Sequence, residues 1–157
     1  MSFDIHLIRF AKGRACELPR ESVRAALHGY TFRQLSLDSY DVQFQDGSHV
    51  EFDAHGLSGS AAFNGCVFWI RGMSDAIIRF VFEVARAGET VLFPTMEGNP
   101  CILVRPGQNV ELPPDLDLPL AECYTPEQLG RFVADGYQDW SRYRDHVMRS
   151  PRRHNRW

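Results

Sequence analysis

The chain has 157 residues, 44% hydrophobic and 24% charged, and a formal net charge of −3. That length and balance fit a single domain with its own core and exclude global disorder. The mild acidity gives no domain-wide pull toward nucleic acid or anionic lipid, and charges interrupt every apolar stretch well before the roughly 18 residues of a spanning helix.

Residues 3–10 (FDIHLIRF) are rich in Ile, Leu and Phe, alternate imperfectly and predict a strand. Residues 11–18 read as a polar loop. Pro19 suits the first turn of a helix that runs to about His28, with Val23, Ala26 and Leu27 on one face and Gly29 as its stop. Residues 40–45 and 49–54 alternate apolar and polar around Asp46-Gly47, a strong turn dipeptide, and predict a β-hairpin with one apolar face.

A Gly/Ser-containing loop follows over 55–62, then a buried strand over 64–71. Ser74 is placed to cap a helix over 75–87, whose polar stripe is only Arg79, Glu83 and Arg86; such a helix is covered on most sides. Two strands are expected over 89–94 and 101–105. Five of the nine prolines fall between 106 and 126, so residues 106–124 predict a stiff, extended connection. Thr125, Pro126 and Gln128 form a helix start, and Leu129, Phe132, Val133, Gly136, Tyr137, Trp140 and Tyr143 carry an amphipathic helix to about Met148.

The order strand, helix, strand, strand occurs twice before this last helix. It predicts an α+β fold of two βαββ-like units, forming a mostly antiparallel sheet with helices packed on it and a C-terminal amphipathic helix. The expected organisation is one domain over 1–148 and a basic tail over 149–157. The first residues show no basic leader, and Cys16, Cys66, Cys101 and Cys123 follow neither a zinc spacing nor a dense disulfide pattern. A reducing, cytoplasmic setting is the expectation from these features.

Period-2 alternation puts His49, Glu51, Asp53 and, if the strand continues, His55 on one face. Imidazoles and carboxylates together are metal ligands or an acid–base set. Spacing argues against one shared ion, because His49 and His55 lie ~20 Å apart on an extended strand. The solvated face of a hairpin accounts for the same pattern.

Residues 55–60 (HGLSGS) hint at a nucleophile loop, but the last glycine of that motif is replaced by Ser60 and a strand follows where a helix is required. Cys66 reads as core. The tail carries Arg149, Arg152, Arg153 and Arg156 without an acid, so only weak nucleic-acid contact is expected, and only there. Tyr137, Trp140 and Tyr143 either close the core or present a partner-binding face.

The functional expectation is therefore a small protein-binding module without catalytic activity, of the kind a toxin-neutralising immunity protein or a regulatory partner exemplifies. It has no cofactor and no membrane segment, a protein partner, and room for a homodimer through an exposed sheet edge. The alternative expectation is a metal-binding protein or small enzyme built on His49, Glu51, Asp53 and His55.

Overall fold

Alternating side chains along the central strands dictate a two-faced sheet, and a computed structural model, which describes residues 3–149, shows one. The elements are β1 (Phe3–Ala11), β2 (Arg14–Cys16), α1 (Arg20–His28), β3 (Thr31–Gln34), β4 (Ser39–Gln43), β5 (His49–Asp53), β6 (Cys66–Ile70), α2 (Asp75–Ala87), β7 (Val91–Pro94), β8 (Cys101–Leu103), β9 (Leu120–Glu122) and α3 (Pro126–Arg149). Nine strands form one sheet in the order β3-β4-β5-β6-β1-β7-β8-β9, with β2 paired to β1. Every pairing is antiparallel except β8 with β9. The protein is α+β, as its sequence predicts.

Both strand-helix-strand-strand runs are present, and they share one sheet because β1 lies between β6 and β7. β6 and β7 each pair antiparallel to β1, so they run parallel to each other. Parallel strands need a long crossover, which α2 supplies. Ser74 caps it, its hydroxyl accepting from the Ile77 amide at 3.2 Å.

Phe3, Ile5 and Leu7 of β1, Val42 of β4, Val50 and Phe52 of β5, and Cys66, Phe68 and Ile70 of β6 are all buried. They join one core with Val23 and Leu27 of α1, Ile77, Phe80, Val81 and Val84 of α2, and Leu129 and Val133 of α3. All three helices therefore cover the same face. Phe52 stacks on Phe68 at 4.8 Å, and Phe80 meets Phe68 edge-on at 5.7 Å. The narrow polar stripe of α2 follows from this burial. Helix α3 approaches the β7–β8 turn closely at Gly136, where a Cβ would come within 2.5 Å of the Met96 Cε.

The opposite face is roofed only at one end. Val91, Cys101 and Leu103 form a second apolar cluster there with Leu112, and Phe10, Phe93, Leu116 and Leu118 pack around it. The proline-rich stretch is thus more than an extended connection: it contains a 3-10 turn (Gln108–Glu111) and ends in β9. Gln108 anchors it. Its Oε1 accepts from the amides of Val104 and Arg105 at 2.7 and 2.9 Å, and its Nε2 donates to the Thr90 carbonyl at 2.9 Å. Two further strands lie where a loop or nothing was expected: β2 falls in the 11–18 loop, and β3 forms the sheet edge beside β4. The tail residues 150–157 lie outside the described residues.

Candidate functional site: the uncovered sheet face

Where the roof ends, the outer face of β3, β4, β5, β6 and β1 carries mostly polar side chains that belong to neither buried apolar cluster. Register fixes who meets whom. Arg33 lies opposite Asp41, Asp41 opposite Glu51, Glu51 opposite Trp69, and Trp69 opposite Asp4. A second row runs from Ser39 to Asp53, Val67, His6 and Phe93. These residues alternate with core residues on every strand, which is why they share a face.

The side chains are held by one another. Glu51 accepts a two-pronged contact from Arg71, at 3.0 and 3.2 Å. Asp53 accepts from the Ser39 hydroxyl at 2.6 Å and from the Trp69 indole N–H at 2.7 Å. Asp41 is only 6% exposed. It lies 2.9 Å from His49 Nδ1 and 3.4 Å from the Arg33 guanidinium. Burial pushes its carboxyl up, but the hydrogen bonds of His49 and Gln43 and the charges of His49 and Arg33 outweigh that, and it sits below its ordinary value. Asp38, in the β3–β4 turn, is also held low, chiefly by its hydrogen bond with His55 at 2.8 Å.

His49, Glu51 and Asp53 do share a face, as alternation predicts, and His55 follows just past the strand end. The structure gives the four separate partners: Asp41 for His49, Arg71 for Glu51, Ser39 and Trp69 for Asp53, Asp38 for His55. Among the described residues no group of three or more His, Cys, Asp or Glu is placed to hold a metal ion. Trp69 is the residue that sequence reasoning missed. Its signal was alternation within residues 66–70, where Val67 and Trp69 are half-buried between fully buried neighbours.

The other candidate residues divide between packing and surface. Tyr137 and Trp140 pack edge-on against Phe3, at 5.9 and 6.4 Å, and the Tyr137 hydroxyl donates to the Arg71 carbonyl at 3.1 Å. The Arg144 guanidinium sits 5.0 Å over the Trp140 ring, while Tyr143 is 62% exposed. In the 55–60 loop the Ser58 hydroxyl donates to the Leu37 carbonyl at 2.6 Å, and Arg20 binds the carbonyls of Gly59 and Ala61. Gly56 there has φ +86°, and a Cβ would lie 2.5 Å from the Ala62 carbonyl oxygen. That loop is fastened as structure. Cys66 is buried and its thiol is pushed up by desolvation, as is that of Cys101, to about 11. An α2–α3 groove of about 670 Å³ is rimmed by an Arg79–Glu127 pair at 3.4 Å. Among the described residues no helix is long and apolar enough to cross a membrane. Compared with known proteins, the chain matches no family model, no curated protein and no solved structure.

Proposed function

We propose that this chain is a protein-binding module, immunity- or regulator-like, that seats a partner protein on the uncovered face of its sheet. The observation that supports the reading is the ordering of that face. A merely solvated sheet needs no fixed side chains, yet here Glu51, Asp53 and Asp41 each have partners on a neighbouring strand or at its end, and a tryptophan sits among them. Side chains already held in one arrangement lose little entropy on binding, and tryptophan is enriched at interface centres.

The test is affinity capture from the native host at moderate salt, with three baits. A stoichiometric partner held by the parent and by Arg142→Ala, at an exposed position of α3, but lost by Trp69→Ala with Glu51→Lys supports the reading. A partner that all three hold equally overturns the assignment of this face.

The alternative, a metal-binding or catalytic use of the same strand, would employ His49 Nε2 while Nδ1 stays on Asp41, and requires Glu51 to leave Arg71. A divalent-metal titration that raises Tm in the parent and not in His49→Ala would favour it.

A further inference from the structure

We propose that Asn64 is a self-modification site: the backbone nitrogen of Gly65 displaces its side-chain amide through a cyclic imide, leaving aspartate or isoaspartate. The reaction needs no partner protein, so it stands apart from the protein-binding reading.

The chemistry sets the requirements. A backbone nitrogen can close a five-membered ring on the side-chain carbon of a preceding asparagine or aspartate. The nitrogen must be available, and the backbone must bring the two atoms together. Glycine suits this best, having no Cβ and the widest choice of dihedral angles. Three dipeptides in the chain place a glycine after asparagine or aspartate: Asp46-Gly47, Asn64-Gly65 and Asp135-Gly136.

Their surroundings separate them. In the β4–β5 turn the Gly47 amide donates to the Phe44 carbonyl at 3.1 Å. The Asp46 carboxylate accepts from the Ser48 hydroxyl and, at 2.8 Å, from the Ser48 amide. These bonds hold Asp46 below its ordinary value, and an ionised carboxylate is a poor electrophile. Asp135-Gly136 lies inside α3, where helical hydrogen bonding fixes the backbone. Asn64 differs on each count. Its side chain is a neutral amide, it is exposed, and it sits in irregular backbone before β6. Gly65 precedes the ladder, whose register with β1 begins at Cys66. The other described asparagines lack a following glycine. Asn99 precedes Pro100, which has no N–H, and Asn109 precedes Val110, whose amide donates to the Gly107 carbonyl at 3.4 Å. Gly65 also has a structural reason to stay: a Cβ there would lie 2.9 Å from the Leu7 carbonyl oxygen. The fold thus keeps beside Asn64 the residue that leaves it reactive.

The atoms balance as a hydrolysis. The Gly65 nitrogen gives its proton to water or hydroxide and bonds to Asn64 Cγ. The C–N bond of the side-chain amide breaks, and ammonia leaves with a proton. Water then opens the imide. Cleavage at Cγ restores the main chain with aspartate, whereas cleavage at the Asn64 main-chain carbonyl leaves isoaspartate, with an extra backbone carbon. Either product adds a negative charge to a chain of net charge −3. The extra carbon falls between two anchors. Phe63 is buried and its carbonyl accepts from the Leu18 amide at 2.8 Å; Cys66 is buried and opens the β6 register.

The experiment incubates the folded full chain at neutral and mildly alkaline pH in water enriched in oxygen-18. Anion exchange and peptide mass spectrometry follow it, and an isoaspartate-specific methyltransferase identifies the isomer. An acidic species is expected to accumulate, faster at the higher pH, with the amide-to-acid mass change and oxygen-18 confined to the peptide holding Asn64. Asn64→Gln, whose ring would be six-membered, should lose this species. Residues 46 and 135 should remain aspartate. The purified isoaspartate form should show a lower Tm and faster exchange of the Leu18 amide. Asn64→Asp, which carries the charge without the extra carbon, should match the parent; position 64 is exposed, so both variants are expected to fold.

An Asn64 that stays intact in the folded chain but converts in urea would show that the fold protects it, and the proposal would fall. Conversion at Asn109 as fast as at Asn64, or isomerisation of Asp46 at that rate, would overturn it too. An isoaspartate form as stable as Asn64→Asp would overturn the effect assigned to the extra carbon on β6.

Discussion

The outer face of the sheet is roofed over β7 and β8 and bare over β3 to β6, and the two regions are written differently in sequence. On β8 the three residues Cys101, Ile102 and Leu103 are all buried, because a helix layer lies on one side and the proline-rich stretch on the other. On β5 burial alternates, with Val50 and Phe52 inside and His49, Glu51 and Asp53 outside. A strand covered on both faces reads as a continuous apolar run, and one covered on a single face reads as alternation. The bare region is therefore specified by sequence to stay bare, and this makes its half-buried tryptophan informative.

Substitutions on neighbouring residues can break this comparison. The largest effect is expected on the helix side. Phe68→Ala removes a ring stacked on Phe52 and met by Phe80, and should cost about 4 kcal/mol in denaturant unfolding. Under the roof, Leu103→Ala should cost about 2–3 kcal/mol, since its cluster is smaller. Its effect should also be local, with amides of β8 and β9 exchanging faster while those of β4 to β6 keep their protection. On the bare side, one residue beyond Phe68, Trp69→Ala should cost only about 1–2 kcal/mol, the ring being half-buried there. A Trp69→Ala cost equal to that of Phe68→Ala would mean that the bare face is a second core surface.

What sequence carried, and what it did not, divides along the same line. Helix α2 runs from Asp75 to Ala87 as its cap and stop predict, and the hairpin turns at Asp46-Gly47, where Gly47 has φ +83°. These features are local. β2 and β9 have three residues each, and β3 is a mostly exposed edge. Such strands exist because β1, β8 and β4 offer them partners, and no local propensity announces that. The 106–124 stretch, read as a plain connection, gains a strand because the Cys101 amide finds the Pro119 carbonyl at 2.8 Å, a contact set by tertiary placement. The site follows suit. Alternation placed His49, Glu51 and Asp53 together, but their partners come from β4, β6 and the residue after it. Pairing Glu51 with Arg71 requires knowing that β5 lies beside β6 in that register, which a single sequence does not encode locally.

The smallest expected effect concerns acid. The carboxyls held below their ordinary value are Asp38, Asp41 and Asp46, and all three belong to the β3–β5 meander of the bare region. Asp46 is held chiefly by the Ser48 hydroxyl, and the Ser48 amide also donates to it at 2.8 Å. A carboxyl whose folded value lies below its unfolded one, about 3.9 for Asp, stabilises the fold fully above that value. The contribution is lost as pH falls through the lowered folded value. Stability is thus expected to be insensitive to these groups at neutral pH and to decline below about pH 4. Because the three groups are clustered, the loss should be uneven. Amides of β3, β4 and β5 should lose exchange protection before those of β7 and β8 as acid is added. Asp41→Asn should flatten part of this decline while leaving β7 and β8 as they were. Simultaneous loss across the sheet would show that the two regions unfold as one unit and that the difference between them is confined to the surface.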